Sequence, residues 1–318
     1  MWSLLNGIAA RRPTAAWLAG ALLFLGSMAP EVRASQITWA SNAFANNLQS
    51  GGLPLDSSFV FFLGTFAPGF VPTAANTSQW AARWITLEAS AYNPVSGRFA
   101  ESTDYATNSA PFLTGVRGYI WGTNGKCGAG EWILLSNSSW TFPVGAGGPG
   151  APTVTWSASQ ANQVIIGTLG AGGVHLRTAA AGAAAPPVLS PTLWRQMVFT
   201  SADLLDDAIS GWSADPDRDG ASNLQEYATG SPPKSATRAF PILTPVAGAN
   251  AGFFLTLARD CRSSVLWSAQ ESPDLTFWTP APPDVVQEPL NASGFRLTVP
   301  PAGQSPRFVR FLLSLPPG

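Results

Sequence analysis

Ser58-Phe59-Val60-Phe61-Phe62-Leu63-Gly64 is a short, continuous apolar run, the pattern of a β-strand buried on both faces. Around it lie further strand patterns, at Ile37 to Ala40, Gly115 to Gly122, Glu131 to Leu135, Thr153 to Ser157 and Gln163 to Thr168. Gly and Pro clusters separate them, as over Gly145 to Pro152. One helix is predicted among them, Thr77 to Ala89, because Trp80, Trp84 and Leu87 recur at helical spacing and Asn76 or Thr77 can cap it. Short strands with regular turns imply a β-sandwich or jelly-roll-like region with one packed helix over residues 35–178.

Residues 179–199 are rich in Ala and Pro and read as a linker. In residues 200–235, Ser201 is an N-cap candidate with Asp203 in the first turn, and Asn223 to Thr229 is a second helix, stopped by Gly230 and Pro232-Pro233. Residues 236–318 alternate again, with strands predicted at Phe253 to Leu257, Ser264 to Ala269, Phe295 to Val299 and Phe308 to Leu315. The chain is therefore expected to be mainly β. A short helix–loop–helix connector joins the first region to a small C-terminal β-sandwich near the lower size limit for an independent core.

The connector's loop carries specific chemistry. Asp215-Pro216-Asp217-Arg218-Asp219-Gly220-Ala221-Ser222-Asn223-Leu224-Gln225-Glu226 satisfies the EF-hand loop pattern at each diagnostic position. Calcium is a hard cation that takes six to eight oxygens. Asp215, Asp217 and Asp219 alternate, so three carboxylates converge as the chain curls. Gly220 permits the sharp turn. Ala221 offers its backbone carbonyl, Asn223 acts directly or through water, and Glu226 closes the shell with both oxygens. Four carboxylates in one short loop repel one another, which favours a cation over a bare acidic turn. Ser222 stands where paired loops carry an aliphatic residue, and no second loop is present, so a solitary structural site is expected. Its affinity should lie in the weak extracellular range, about 10⁻⁴ to 10⁻³ M.

Asp215-Pro216-Asp217, Asp219-Gly220, Asn223, Glu226-Tyr227 and Gly230 together resemble a segment of exported bacterial proteins that is similar to thrombospondin type 3 and dockerin-type calcium loops. In such proteins the segment often precedes a C-terminal β module, whose start Val265 to Trp278 resembles. The resemblance covers about residues 200–318 and implies export and calcium.

Composition sets outer bounds. Only 11% of the 318 residues are charged and the net charge is −1, so there is no basic footprint for nucleic acid. Arg11 and Arg12, the apolar run Ala15 to Ala29, and Val32-Arg33-Ala34 before Ser35 read as a signal peptide over residues 1–34. The run is too short to span a bilayer, and no later segment is long and apolar enough. Cys127 and Cys261 fall in different predicted regions and are read as two isolated thiols, although export permits a disulfide. His175 is the single histidine, without a nucleophile motif near it, and reads as structural. Glu131, beside Trp132, is the carboxylate most open to a raised pKa, with Asp104 the other acid considered for a site. Trp39, Trp121, Trp132, Trp140 and Trp156 are expected in the core. The expected function is that of a noncatalytic exported calcium-binding protein, a cell-surface or extracellular module whose partner is a glycan or cell-surface polymer. The alternative is a carbohydrate-active enzyme or a glycan-binding protein using the first β region.

Overall fold

The computed structural model describes residues 35–105, 109–144, 153–170, 175–237, 242–245, 252–290, 294–300 and 307–317. The expected signal peptide lies outside them. Residues 32–318 form one compact unit.

The first region contains β1 (Ser35–Ala40), β2 (Val60–Phe66), the short helix α1 (Trp80–Arg83), β3 (Trp84–Ala91), β4 (Ala100–Tyr105), β5 (Arg117–Thr123), β6 (Glu131–Thr141), β7 (Thr153–Ser157) and β8 (Gln163–Ile166). The two-residue strands β9 (Thr168–Leu169), β10 (Leu176–Arg177) and β11 (Ala179–Ala180) follow. Then come the helices α2 (Pro191–Val198), α3 (Asp207–Ser210) and α4 (Asn223–Thr229). The C-terminal region holds β12 (Ile242–Pro245), β13 (Phe253–Ala258), β14 (Leu266–Ser272), β15 (Thr279–Pro280), β16 (Val286–Leu290), β17 (Gly294–Val299) and β18 (Phe308–Ser314). The protein is mainly β, as its strand patterns imply.

The central sheet runs β11-β6-β5-β2-β3, with β8 also paired to β6. All seven residues of β2 are buried, and the alternation of its side chains explains its apolar sequence. Phe61 and Leu63 point into a core shared with the β4-β1-β7 sheet, among Trp39, Phe99, Trp140 and Trp156. Val60 and Phe62 point the other way, into a second core with Trp80, Trp84, Trp121 and Trp132. That second core is closed by Trp194 of α2, Tyr227 of α4 and Val265, with Leu313 of β18 packed against it. The five tryptophans assigned to the core from sequence are all buried, none more than 2% exposed. The C-terminal region forms two sheets, β12-β13-β17-β16 and β15-β14-β18, around Ala269, Val285, Leu297 and Val299.

Three expectations give way. The predicted helix Thr77 to Ala89 is instead a 3₁₀ turn (Ala74–Gln79), one α-helical turn and the strand β3. Trp84 and Leu87 lie on opposite faces of that strand, one in each core. Pairing with β2 and β-branched Ile85 and Thr86 outweigh the helical spacing. The register shifts at Leu63/Gly64, and the close approach there requires glycine, since a Cβ on Gly64 would collide with the Ile85 carbonyl and the Trp84 ring. The stretch 179–199, expected as a linker, carries β11, paired to Trp132 and Glu131, and α2, capped by Ser190. Finally, Cys127 and Cys261 are joined in a disulfide, their Cα atoms 5.4 Å apart. Segment 260–262 lies against the turn after β5: Cys261 N donates to Gly125 O, and Arg262 donates to Thr123 O.

Candidate metal centre

The loop from Asp215 to Glu226 is pinned from outside. Upstream, Asp206 caps α3 by accepting from Ala208 N at 2.8 Å. Downstream, Ser222 and Gln225 form a reciprocal capping box on α4, which ends at Gly230 in the left-handed conformation (φ +78°). Two backbone bonds cross the base of the loop, from Asn223 N to Ala214 O at 2.9 Å and from Leu224 N to Trp212 O at 3.0 Å. Trp212 stacks on Trp194 and also meets Tyr227, with ring centres 5.6 Å apart in both pairs. The loop is thus tied to the aromatic core.

Inside, each aspartate has one oxygen fixed by the loop backbone. Asp215 Oδ2 accepts from Gly220 N at 2.9 Å, Asp217 Oδ1 from Asp219 N at 3.2 Å, and Asp219 Oδ1 from Ala221 N at 2.8 Å. Gly220, at φ +87°, supplies the turn that allows the first of these. The remaining oxygens, Asp215 Oδ1, Asp217 Oδ2 and Asp219 Oδ2, are buried and accept no hydrogen bond. Asn223 is fully buried, and its Nδ2 donates to Ile209 O at 2.9 Å and Gly211 O at 2.7 Å, which leaves Oδ1 without a partner. Glu226 is 1% exposed, and neither of its carboxylate oxygens meets a donor. Ala221, 6% exposed at the seventh position, would contribute only through its backbone carbonyl.

Five side chains therefore present six unpartnered buried oxygens, from the first, third, fifth, ninth and twelfth loop positions. One oxygen from each aspartate lies within 4.8 Å of the others, and this cluster of three could hold a metal ion; Glu226 is not among the carboxylates gathered within that distance. The electrostatics agree with that geometry. Burial, then the charges of Asp217, Asp219 and Asp215, push the Glu226 carboxyl up to about 8. An unsatisfied buried polar group costs about 1–3 kcal/mol, and more when charged. Six of them would cancel most of a total stability of about 5–15 kcal/mol, so the donor set fits a cation and is poorly suited to standing alone.

The other residues singled out from sequence lie elsewhere. Glu131 accepts from Ser50 N at 3.0 Å, from Ser50 Oγ at 2.5 Å and from Thr178 Oγ1 at 2.5 Å. Burial alone would raise its pKa, but those hydrogen bonds and Lys126 bring it below the ordinary range, contrary to the expectation drawn from Trp132. Such a carboxylate fastens two loops and is a poor proton donor. Asp104 is exposed on β4 and accepts from Gln36 Nε2 at 3.3 Å. His175 Nδ1 pairs with Asn46 O at 3.0 Å, a structural contact.

Sequence reading missed the double anchoring of Asn223 and the role of Tyr227, whose hydroxyl donates to Leu189 O at 2.5 Å and meets Ser264 Oγ at 3.0 Å. An aromatic residue directly after the twelfth loop position was the available signal. In comparisons with known proteins, no family model matches the chain and no curated protein shows significant similarity to it.

Proposed function

We propose that this is a noncatalytic exported calcium-binding protein, a cell-surface or extracellular module stiffened by one ion. The observation that carries the reading is the set of six buried, unpartnered oxygens at the loop positions that calcium coordination requires. All are hard oxygen donors, which disfavours zinc. Two come from one carboxylate, which suits calcium's flexible shell better than magnesium's strict octahedron. The Cys127–Cys261 disulfide fits an oxidising compartment. Among the described residues no helix is long and apolar enough to cross a membrane. A glycan or cell-surface polymer is the partner class this reading favours.

Titration calorimetry on the chelator-stripped full chain tests it. Calcium should bind with a stoichiometry of one, magnesium at equal concentration should not displace it, and Asp217→Ala should abolish the heat. Silence up to about 10 mM calcium, ten times the weak limit for such loops, would reject the assignment.

A further inference from the structure

We propose that two adjoining cavities beside α2 form a binding site for one amphiphilic small molecule, with a neutral hydrogen-bonding head and an apolar tail. The inner cavity, of about 390 Å³, is walled by Val60, Leu189, Trp194, Met197, Val198 and Pro232. Two cations border it, and both are engaged. Arg262 is held by Asp260 and by the carbonyls of Ser58 and Thr123, and Lys234 is paired with Asp203. A charged group entering this chamber would lose its water without gaining a counter-charge, so an apolar group is favoured there.

The outer cavity, of about 510 Å³, has the opposite character: Asn93, Ser96, Arg98 and Glu101 line it. It holds one charge of each sign. An ion of either sign meets one attraction and one repulsion, whereas a neutral group rich in donors and acceptors meets partners only. Ala91, Tyr92 and Met197 line both cavities, so the apolar and the polar one adjoin along these three residues. Both volumes fall in the range of about 300–1,000 Å³ usual for ligand sites. A molecule that spans the wall satisfies both surfaces at once; an alkyl glycoside has the required chemistry.

The test uses the full chain in calcium buffer and the neutral dye N-phenyl-1-naphthylamine, which fluoresces out of water. Its fluorescence should rise saturably. Octyl glucoside below its micellar concentration should displace it, and neither glucose nor octanoate at the same concentration should do so. Met197→Trp, in the common wall, should weaken dye binding at least about tenfold, the scale of one lost buried contact. If that variant melts early, Ala91→Trp at the exposed end of β3 replaces it. Arg98→Ala should weaken octyl glucoside while leaving the dye titration unchanged. Absence of a saturable rise, a rise that a folded wall variant leaves intact, or octanoate competing as well as octyl glucoside would overturn the proposal.

Discussion

Replacing Glu226 by Gln should produce melting curves that cross. In chelator near neutral pH, Glu226 is 1% exposed, meets no hydrogen-bond donor and lies beside three aspartates, so its carboxyl, pushed up to about 8, takes up a proton when the chain folds. Gln keeps the shape and spares the chain that proton uptake on folding, so Glu226→Gln should melt above wild type near neutral pH, by about 2–4 °C if about 1 kcal/mol is recovered. With calcium the order should invert. An ion bound only to the folded state stabilises it by RT ln(1 + [Ca]/Kd). For 10 mM calcium and a Kd of about 10⁻⁴ to 10⁻³ M, that is about 1.4–2.7 kcal/mol, or about 3–10 °C for a unit of this size. Gln cannot chelate with two anionic oxygens, so the variant should lose most of the rise. Differential scanning calorimetry in chelator and in calcium reads both effects. The reasoning fails if Glu226→Gln melts below wild type in chelator, or if calcium raises both proteins equally.

Reducing Cys127–Cys261 with a dithiol opens a constraint spanning 134 residues and should lower the melting temperature markedly, since closing so long a loop is worth about 4–5 kcal/mol in the chain-entropy account. The same treatment should weaken calcium binding, because Asp260 N donates to Ala228 O in α4 at 2.9 Å, and paired calorimetric titrations would show it. Arg262→Ala should cost about 3–5 kcal/mol by denaturant titration, because it strands Asp260 in a buried pair, while Asp260→Asn combined with Arg262→Met should cost less. The Lys234 ammonium, and then Thr200, hold the Asp203 carboxyl down to about 2. A lowered carboxylate contributes stability above its ordinary value of 3.8 and loses it as pH falls toward 2, so Asp203→Asn should narrow the difference in melting temperature between pH 5 and pH 2.5.

What was legible in the sequence was local. The loop's ligands follow from spacing within a dozen residues, and α4 runs from Asn223 to Thr229, the span its cap and Gly230 dictate. Strands such as β7 and β2 announce themselves through composition. What was not legible depends on distant partners. Trp80, Trp84 and Leu87 satisfy helical spacing, and only β2 across the sheet makes Trp84 the start of a strand. Cys127 and Cys261 looked unrelated because nothing local shows that segment 260–262 docks on the turn after β5. Glu131's lowered pKa arises from Ser50 and Thr178, 81 and 47 residues away.

The central sheet's second face has a consequence for assembly in time. Trp121 and Trp132 pack on Trp80, and Trp121 also on Trp84, while the same core takes in Trp194, Tyr227, Val265 and, from β18, Leu313. During synthesis, β2, β5 and β6 emerge long before Trp194, Tyr227, Val265 and Leu313, so this core stays partly open until those residues follow. Long-range closure of this kind is slow and leaves sticky intermediates. Folding of this core should therefore finish only after β18 is released, and a chain truncated before α2 should aggregate instead of yielding a smaller folded piece.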